Sequence, residues 1–449
     1  MLYDFLLKKL VYPMSVLLYG KLNNLKLIET MKFLEKSQWL NKREIQILQL
    51  KKLKRLIDHS YKNVLFYKEL FKNNEIKPHD IKTLKDLQKL PVITKEDIRK
   101  NFPNNILARN YANSKIIFDS TSGSTGTPFE FIHDLNYAKI SGLIVHRNHK
   151  WVGFHPGTKY VKLFGEHKES YFDGIINKHI YRRLFLSAFN TSDKSYSSYV
   201  QKIRKFKPKV IEAYTSAVIQ FAWYLKEHNI SNLGIKSIIC TAEKLYERDR
   251  KFLQDIFDCK CFSKYGSREF ASIAHDCEYQ NPHINAEAYL VEIVDDDNEV
   301  VNGEKGRIII TCLDNYSMPF IRYEIGDIGK LNISDYKCDC GRGLPLFEEI
   351  EGRITDFIEL PSGKKVSFLL FNYLFEQFGK YIKDFQIVQN KKDTLVVNIV
   401  PTKDYHSELD SKIRNDILKY IEEQVEIEVQ CKDKIPLEKS GKKMLVKKL

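Results

Sequence analysis

The chain has 449 residues, 43% hydrophobic and 29% charged, which are globular values that argue against long disorder and exceed the needs of one ordinary core. Its net charge of +14 comes from 72 Lys+Arg against 58 Asp+Glu, and the lysines are dispersed through helical stretches. Such basicity can attract nucleic acid, anionic lipid or an acidic small molecule, but with no arginine-rich tract, zinc-finger spacing or RNA-binding signature beside it a solvated surface and no nucleic-acid partner are expected. Eight cysteines are too few for a disulfide scaffold, and Met1 to Leu6 opens no secretory signal, so a cytoplasmic location is expected.

Val11 to Tyr19 is apolar but short and contains Pro13, so it cannot span a bilayer, which takes about twenty apolar residues. It is expected to pack on the body of the protein, with peripheral contact to a membrane or partner as the alternative. From Lys36 to about Phe102 the periodicity is helical, with Ile45, Leu48, Leu53 and Ile57 recurring, Pro91 ending one run and Thr94 capping the next. The apolar run Lys115 to Phe118 then leads into Asp119 to Pro128 (DSTSGSTGTP), which carries two glycines and six hydroxyl residues. Such a loop can turn tightly and converge N–H and O–H donors on an anion, a polyphosphate above all, although it lacks the Gly-Lys-Ser/Thr ending of a Walker loop. The plain alternative is a flexible turn.

A helix is expected over Leu135 to Trp151 and a strand over Tyr160 to Phe164. Strands and helices alternate from there: Lys209 to Ala213, an apolar helix through Val218, Phe221 and Leu225, Ser237 to Cys240, a helix around Phe252, then Cys261 to Glu269. This βαβ alternation predicts a parallel, helix-covered sheet whose ligands gather at the carboxyl ends of the strands, where the turns holding Glu243 and Tyr265 lie. From Ala288 the pattern becomes antiparallel, with Tyr289 to Val294, Gly306 to Thr311 and Pro319 to Leu331 suggesting a small β-barrel. Beyond Gly352 a strand at Phe357 to Leu360, a helix with Leu370, Leu374 and Phe378, a hairpin, a helix with Leu409 to Ile421 and a last strand at Val425 to Val429 read as a split βαβ module.

The expected fold is therefore α/β. Residues 1–351 form a large multi-sheet domain with parallel βα units and a small β-barrel, its helical segment reaching about residue 102. Residues 352–449 form a small α+β domain, with the boundary near Glu351 to Asp356.

Five segments occur in a fixed order: Ser120 to Pro128, Tyr265-Gly-Ser-Arg-Glu269, Arg322-Tyr-Glu-Ile-Gly-Asp327, Gly352-Arg353 with Asp356, and Pro436-Leu-Glu-Lys-Ser-Gly-Lys442. Together they resemble the core motifs of the adenylate-forming ligases. Asn63 to Tyr67 and Leu90 to Lys95 are similar to segments of the phenylacetate-CoA ligase branch, especially the CapK-like proteins of capsular polysaccharide biosynthesis. The resemblance runs from about Lys36 to Leu449.

It implies an enzyme that uses ATP and Mg²⁺ to turn a carboxylic acid into an acyl adenylate and then transfers the acyl group to CoA or to a polysaccharide-precursor acceptor. In such an enzyme cations and donors must carry a carboxylate past a triphosphate. By resemblance, Thr121, Ser122, Gly123, Ser124, Thr125 and Gly126 would hold the β and γ phosphates. Tyr265, next to Gly266, would stack on adenine, and Glu269 would hold Mg²⁺. Asp327 would take the ribose hydroxyls and Arg353 phosphate or ribose. Lys442 would act as a point charge on the bridging oxygen, carried in and out by a moving tail. Glu243 would lie beside the adenine or, on the plain reading, serve as a helix-start carboxylate.

The chain departs from the pattern at Thr127 and Phe129, where lysines are common, at Thr355, where the hinge usually has a second acid, and at Arg268, which could face an anionic substrate group. Leu163 to His167 and Ala213 to Ala217 are the candidate acyl-pocket segments. Cys277, His283, Cys338 and Cys340 could supply a tetrahedral Cys₃His zinc set, a structural site also found in the resembled branch, with ordinary buried cysteine as the alternative. Cys259 and Cys261 are a rival pair, read as core residues of one strand face. Two other functions stay open: an aryl-CoA ligase, and a non-catalytic scaffold binding membrane or a partner through its basic face.

Overall fold

The computed structural model describes residues 27–121, 129–165, 182–188, 192–334, 336–353, 357–363, 365–367, 371, 374–375, 377–421, 423–436 and 446–448. The N-terminal layer is helical: α1 (Leu27–Ser37), α2 (Lys42–Asn63), α3 (Leu65–Asn73) and α4 (Lys95–Asn101). Two of these start on reciprocal caps, Asn41 with Glu44 for α2 and Thr94 with Asp97 for α4, so orphan N–H groups at each start are satisfied by side chains. The hairpin β1 (Ile116–Thr121) and β2 (Phe129–Asp134) follows, with α5 (Leu135–Trp151) capped by Asp134.

The central sheet comprises β3 (Tyr160–Phe164), β4 (Arg183–Ser187), β5 (Val210–Tyr214), β6 (Ser237–Thr241), β7 (Lys260–Tyr265), β8 (Ala274–Asp276) and β9 (Pro282–Ile284), with α6 (Asp193–Phe206), α7 (Thr215–Glu227) and α8 (Glu247–Phe257) between strands. Its order is β4-β3-β5-β6-β7-β8-β9, parallel from β4 to β7 and antiparallel beyond. Two apolar layers sandwich it. Ile211, Ala213, Ile238 and Cys261 face α6, α7 and α8, while Val210, Ile239 and Phe262 join the core shared with α5 and the N-terminal helices.

The antiparallel region is a four-stranded half-barrel, β10 (Tyr289–Val294), β11 (Gly306–Cys312), β12 (Tyr323–Leu331) and β13 (Phe347–Arg353), paired in chain order. Its third strand begins at Tyr323 rather than at Pro319, because Arg322 is held at φ 50°, outside strand geometry. The N-terminal helices are tied to this half-barrel over long sequence distances. Gln49 donates to the Ala286 and Tyr289 carbonyls, Tyr67 to the Pro319 carbonyl, and buried Arg322 to the Leu90 carbonyl and Glu292. A second buried ion pair, Arg147 to Glu287 at 2.5 Å, is completed by Asn285 and Ser37, so neither charge is left uncompensated.

The C-terminal region contains the hairpin β14 (Phe357–Glu359) and β15 (Lys365–Ser367), then β16 (Ile382–Lys391), β17 (Thr394–Pro401), α9 (Glu408–Ile421), β18 (Glu426–Cys431) and β19 (Val446–Lys448). Its sheet runs β18-β17-β16-β19. The expected first strand of a split βαβ unit instead pairs locally with β15, and the outer place beside β16 is taken by β19, too short a run to read from the sequence. This region meets the rest where Arg248 donates to the Phe375 carbonyl at 3.2 Å, Lys383 pairs with Glu227, and Tyr246 packs on the C-terminal core. Among the described residues no helix is long and apolar enough to cross a membrane.

Candidate active site

The carboxyl ends of β6 and β7 meet the half-barrel, Lys244 beside Glu349 and Tyr265 against Phe347, and the segment closing β7 carries Tyr265 to Glu269. Gly266 is obligatory there: a Cβ at this position would stand 2.1 Å from the Ala271 carbonyl oxygen. The turn thus folds back on itself, fastened by Ile273 N–H donating to the Tyr265 carbonyl at 2.9 Å. Tyr265 meets Phe347 edge-on, and its hydroxyl donates to Asp327 Oδ2 at 2.8 Å. Two motifs 62 residues apart therefore converge on one point. Asp327 pairs through its backbone with Arg353 across β12 and β13, so the third motif joins them; the Arg353 side chain lies outside the description.

Glu269 is 2% exposed, with its carboxylate 3.4 Å from the Tyr323 hydroxyl. Its carbonyl accepts from the Tyr137 hydroxyl at 3.1 Å and from His133 Nε2 at 2.9 Å. Since a carbonyl only accepts, His133 carries a proton on Nε2, and burial lowers its pKa. Neither His133 nor Tyr137 stands out in the sequence, because polar and apolar residues are mixed throughout Phe129 to Lys139 and no motif marks either one.

Glu243 follows Ala242, which is held at φ 72°. Its carboxylate accepts from the Ser216 N–H at 2.6 Å and the Ser216 hydroxyl at 3.0 Å. It therefore caps α7, a helix other than the one that follows it, and the positive end of that helix favours the charge. Arg268 pairs with Asp119 at 3.0 Å, linking the β7 turn to the strand that leads into the Ser/Thr/Gly loop. Thr121 ends β1; Ser122, Gly123, Ser124, Thr125 and Gly126 lie outside the described residues, as do Thr355, Asp356 and Lys442.

Cys277, His283, Cys338 and Cys340 come together with all ligand atoms within 4.8 Å of one another. Cys277 and Cys338 Sγ are 3.6 Å apart, and Cys340 Sγ is 3.2 Å from His283 Nε2. The Leu344 carbonyl holds His283 Nδ1 at 3.0 Å, which fixes the proton there and leaves Nε2 as the free lone pair aimed at the sulfurs. N–H groups of Tyr279, Asn281 and Arg342 point at the three sulfurs, as thiolates would want. Four soft donors converging in a mostly buried spot fit a tetrahedral metal ion. The rival Cys261 is buried at the start of β7 with Cys259 half-exposed beside it, and neither joins this set.

A layered α/β body and a half-barrel that meet at Tyr265 and Asp327, followed by a small terminal sheet, make the fold of the adenylate-forming ligases. The solved 2-hydroxyisobutyryl-CoA ligase with R3-HIB-AMP, in its postadenylation state, superposes with a TM-score of 0.77 at 18% identity, over 92% of this chain and 91% of that one. The anthranilate CoA ligase AuaEII with anthranoyl-AMP superposes at 0.55 and 14% identity, over 73% and 64%.

In sequence the chain is a homologue of Protein CapK of Staphylococcus aureus, 26% identical over 80% of this chain and 78% of that protein. It is equally a homologue of the phenylacetate-coenzyme A ligase of Thermus thermophilus, 27% identical over 71% and 72%. Residues 358–448 match the CapK C-terminal domain family.

Proposed function

We propose that this chain activates a carboxylic acid with ATP, forming an acyl adenylate and pyrophosphate, and passes the acyl group to CoA or to an acceptor in surface-polysaccharide assembly. The observation that carries this reading is the 2.8 Å contact between Tyr265 and Asp327, with buried Glu269 on the same turn. An aromatic face, a charged acceptor and a carboxylate stand together where a nucleotide and its metal need them. In this reading Thr121 to Gly126 cradle the phosphates, Glu269 holds Mg²⁺, Asp327 takes the ribose, and residues 352–449 form a lid that brings Lys442 to the α-phosphate.

The CapK-type terminal region favours a polysaccharide-linked acceptor, whereas the phenylacetate-coenzyme A ligase relatives favour an aryl acid and CoA. Pyrophosphate release across a panel of aryl, acyl and amino acids, with and without CoA, separates them. Silence with every acid rejects carboxylate activation. We infer a cytoplasmic location as well, since ATP is supplied there and eight free thiols suit a reducing compartment.

The Cys₃His set is proposed as a structural zinc site, since four protein ligands leave no open position for catalysis. Gently purified protein should contain about one zinc per chain, and Cys338→Ser should reduce it to near none and lower the unfolding midpoint. Metal-free wild type with the stability of the variant would reject the site.

A further inference from the structure

The sheet face turned toward α5 carries charges that its neighbours do not prepare for. Register places Lys162 on β3 beside Glu212 on β5, and Glu212 beside Ile239 on β6. Ile239 stands beside Phe262 on β7, with Lys264 one alternation further on that strand. Val210, Ile239 and Phe262 of this face are core residues, so Lys162, Glu212 and Lys264 form a charged band just below the carboxyl edge of the sheet.

Lys264 donates to Glu212 at 2.5 Å, and His149 of α5 approaches the same carboxylate at 3.9 Å. Burial opposes ionisation of Glu212, yet Lys264 and Lys162 hold its carboxyl below the usual range. His149 and the neighbouring His275 are kept neutral by burial. Two lysines thus face one carboxylate already hydrogen-bonded to Lys264; burial lowers the pKa of Lys162, and among the described residues Glu212 is the carboxylate that acts on it.

Lys162 makes no hydrogen bond with any described residue. Its ammonium lies 4.6 Å from the Phe164 ring centre, and so leans toward the strand end. The Phe164 ring in turn lies 4.6 Å from the Tyr214 ring. These two rings sit at the last residues of β3 and β5, the edge where ligands of parallel sheets gather. An apolar acid lying over these two packed rings would strip water from Lys162 and return nothing.

We propose that the acid activated at this site carries a second carboxylate, distal to the one that is adenylated, which Lys162 receives while the packed Phe164 and Tyr214 rings form one wall along the carbon chain joining the two carboxylates. This rests on the carboxylate-activation reading above. Only the proximal carboxylate reacts: its oxygen bonds to the α-phosphorus as the bond to the pyrophosphate oxygen breaks, and the distal group stays ionised against the ammonium.

The test is pyrophosphate release by the full chain with short dicarboxylic acids, their monoamides, monocarboxylic acids of matched length and aryl acids. A dicarboxylate should exceed its monoamide in kcat/KM by roughly 10- to 100-fold, the range of a charge-assisted hydrogen bond. Lys162→Met, which keeps the side-chain length over Phe164, should remove that advantage and leave monocarboxylate turnover near its wild-type value. Pyrophosphate release with aryl or monocarboxylic acids but no dicarboxylate preference overturns the inference and leaves the activation reading standing. A preference that survives Lys162→Met overturns the role of this lysine. No release with any acid overturns the activation reading itself. If the variant does not fold, the wild-type ratio of dicarboxylate to monoamide decides alone.

Discussion

Alanine in place of Lys442 should leave a folded protein that releases pyrophosphate roughly 10²- to 10³-fold more slowly, the usual cost of losing one preorganised stabiliser of transition-state charge. As pyrophosphate departs, negative charge grows on the oxygen bridging it to the α-phosphorus, and an ammonium in a site cleared of water is most effective there. Lys442 stands in Ser-Gly-Lys just ahead of β19, the strand that pairs in parallel with β16. The loss should fall mainly on kcat, with an unchanged far-ultraviolet spectrum and melting midpoint, because lysine side chains seldom contribute to packing. Equal pyrophosphate release by variant and wild type would remove Lys442 from the mechanism. Arginine should rescue poorly, since its planar fork does not imitate a point charge.

Gly266→Ala should be nearly as damaging for a steric reason. The added carbon would lie 2.1 Å from the Ala271 carbonyl oxygen, 2.8 Å from its carbon and 3.1 Å from the Ser272 Cα, all backbone atoms with no rotamer to yield. The turn must open, and the hydrogen bond from Ile273 to the Tyr265 carbonyl must stretch with it. Tyr265 and Glu269 would then leave their places beside Asp327 and Tyr323. A displacement near 1 Å costs about 10²-fold in turnover, and overpacking costs about 1–3 kcal/mol in stability. Pyrophosphate-release kinetics and denaturant unfolding give these two quantities, and calorimetric titration with ATP reads the nucleotide site directly. A variant that binds ATP as wild type does would show that this turn does not serve the nucleotide.

Much of the fold can be read from residue order because local and global preferences agree. Leu135 to Trp151 has its helical period and an aspartate cap, and Tyr160 to Phe164 and Tyr289 to Val294 are strands over the expected residues. The motifs around Tyr265 and Asp327 are legible as a family pattern, but their meeting is tertiary and no spacing states it. The four zinc candidates are legible by residue type, while their closure depends on β9 and the 338–340 turn being brought together by the half-barrel.

What escapes a linear reading is charge inside apolar strands. Lys162 in Tyr-Val-Lys-Leu-Phe and Glu212 in Val-Ile-Glu-Ala-Tyr look like solvent-facing alternation, and only the second layer packed on that face shows that they are enclosed. Glu243 is similar: its helix partner, α7, precedes it in the chain by a whole strand, so a local cap rule looks in the wrong direction. The order of the C-terminal sheet is hidden for another reason, since β19 is three residues long and held by pairing rather than by its own pattern.

The long ties between the N-terminal helices and the half-barrel have a consequence for how this chain is made. Gln49 and Tyr67 reach partners 237 and 252 residues further on, so helices emerging first from the ribosome wait for most of the polypeptide before their apolar sides are covered. At about 5–20 residues per second that delay lasts on the order of ten seconds or more. The opening third of the molecule is therefore a natural client for chaperones during synthesis, and expressed by itself it would be expected to aggregate rather than fold.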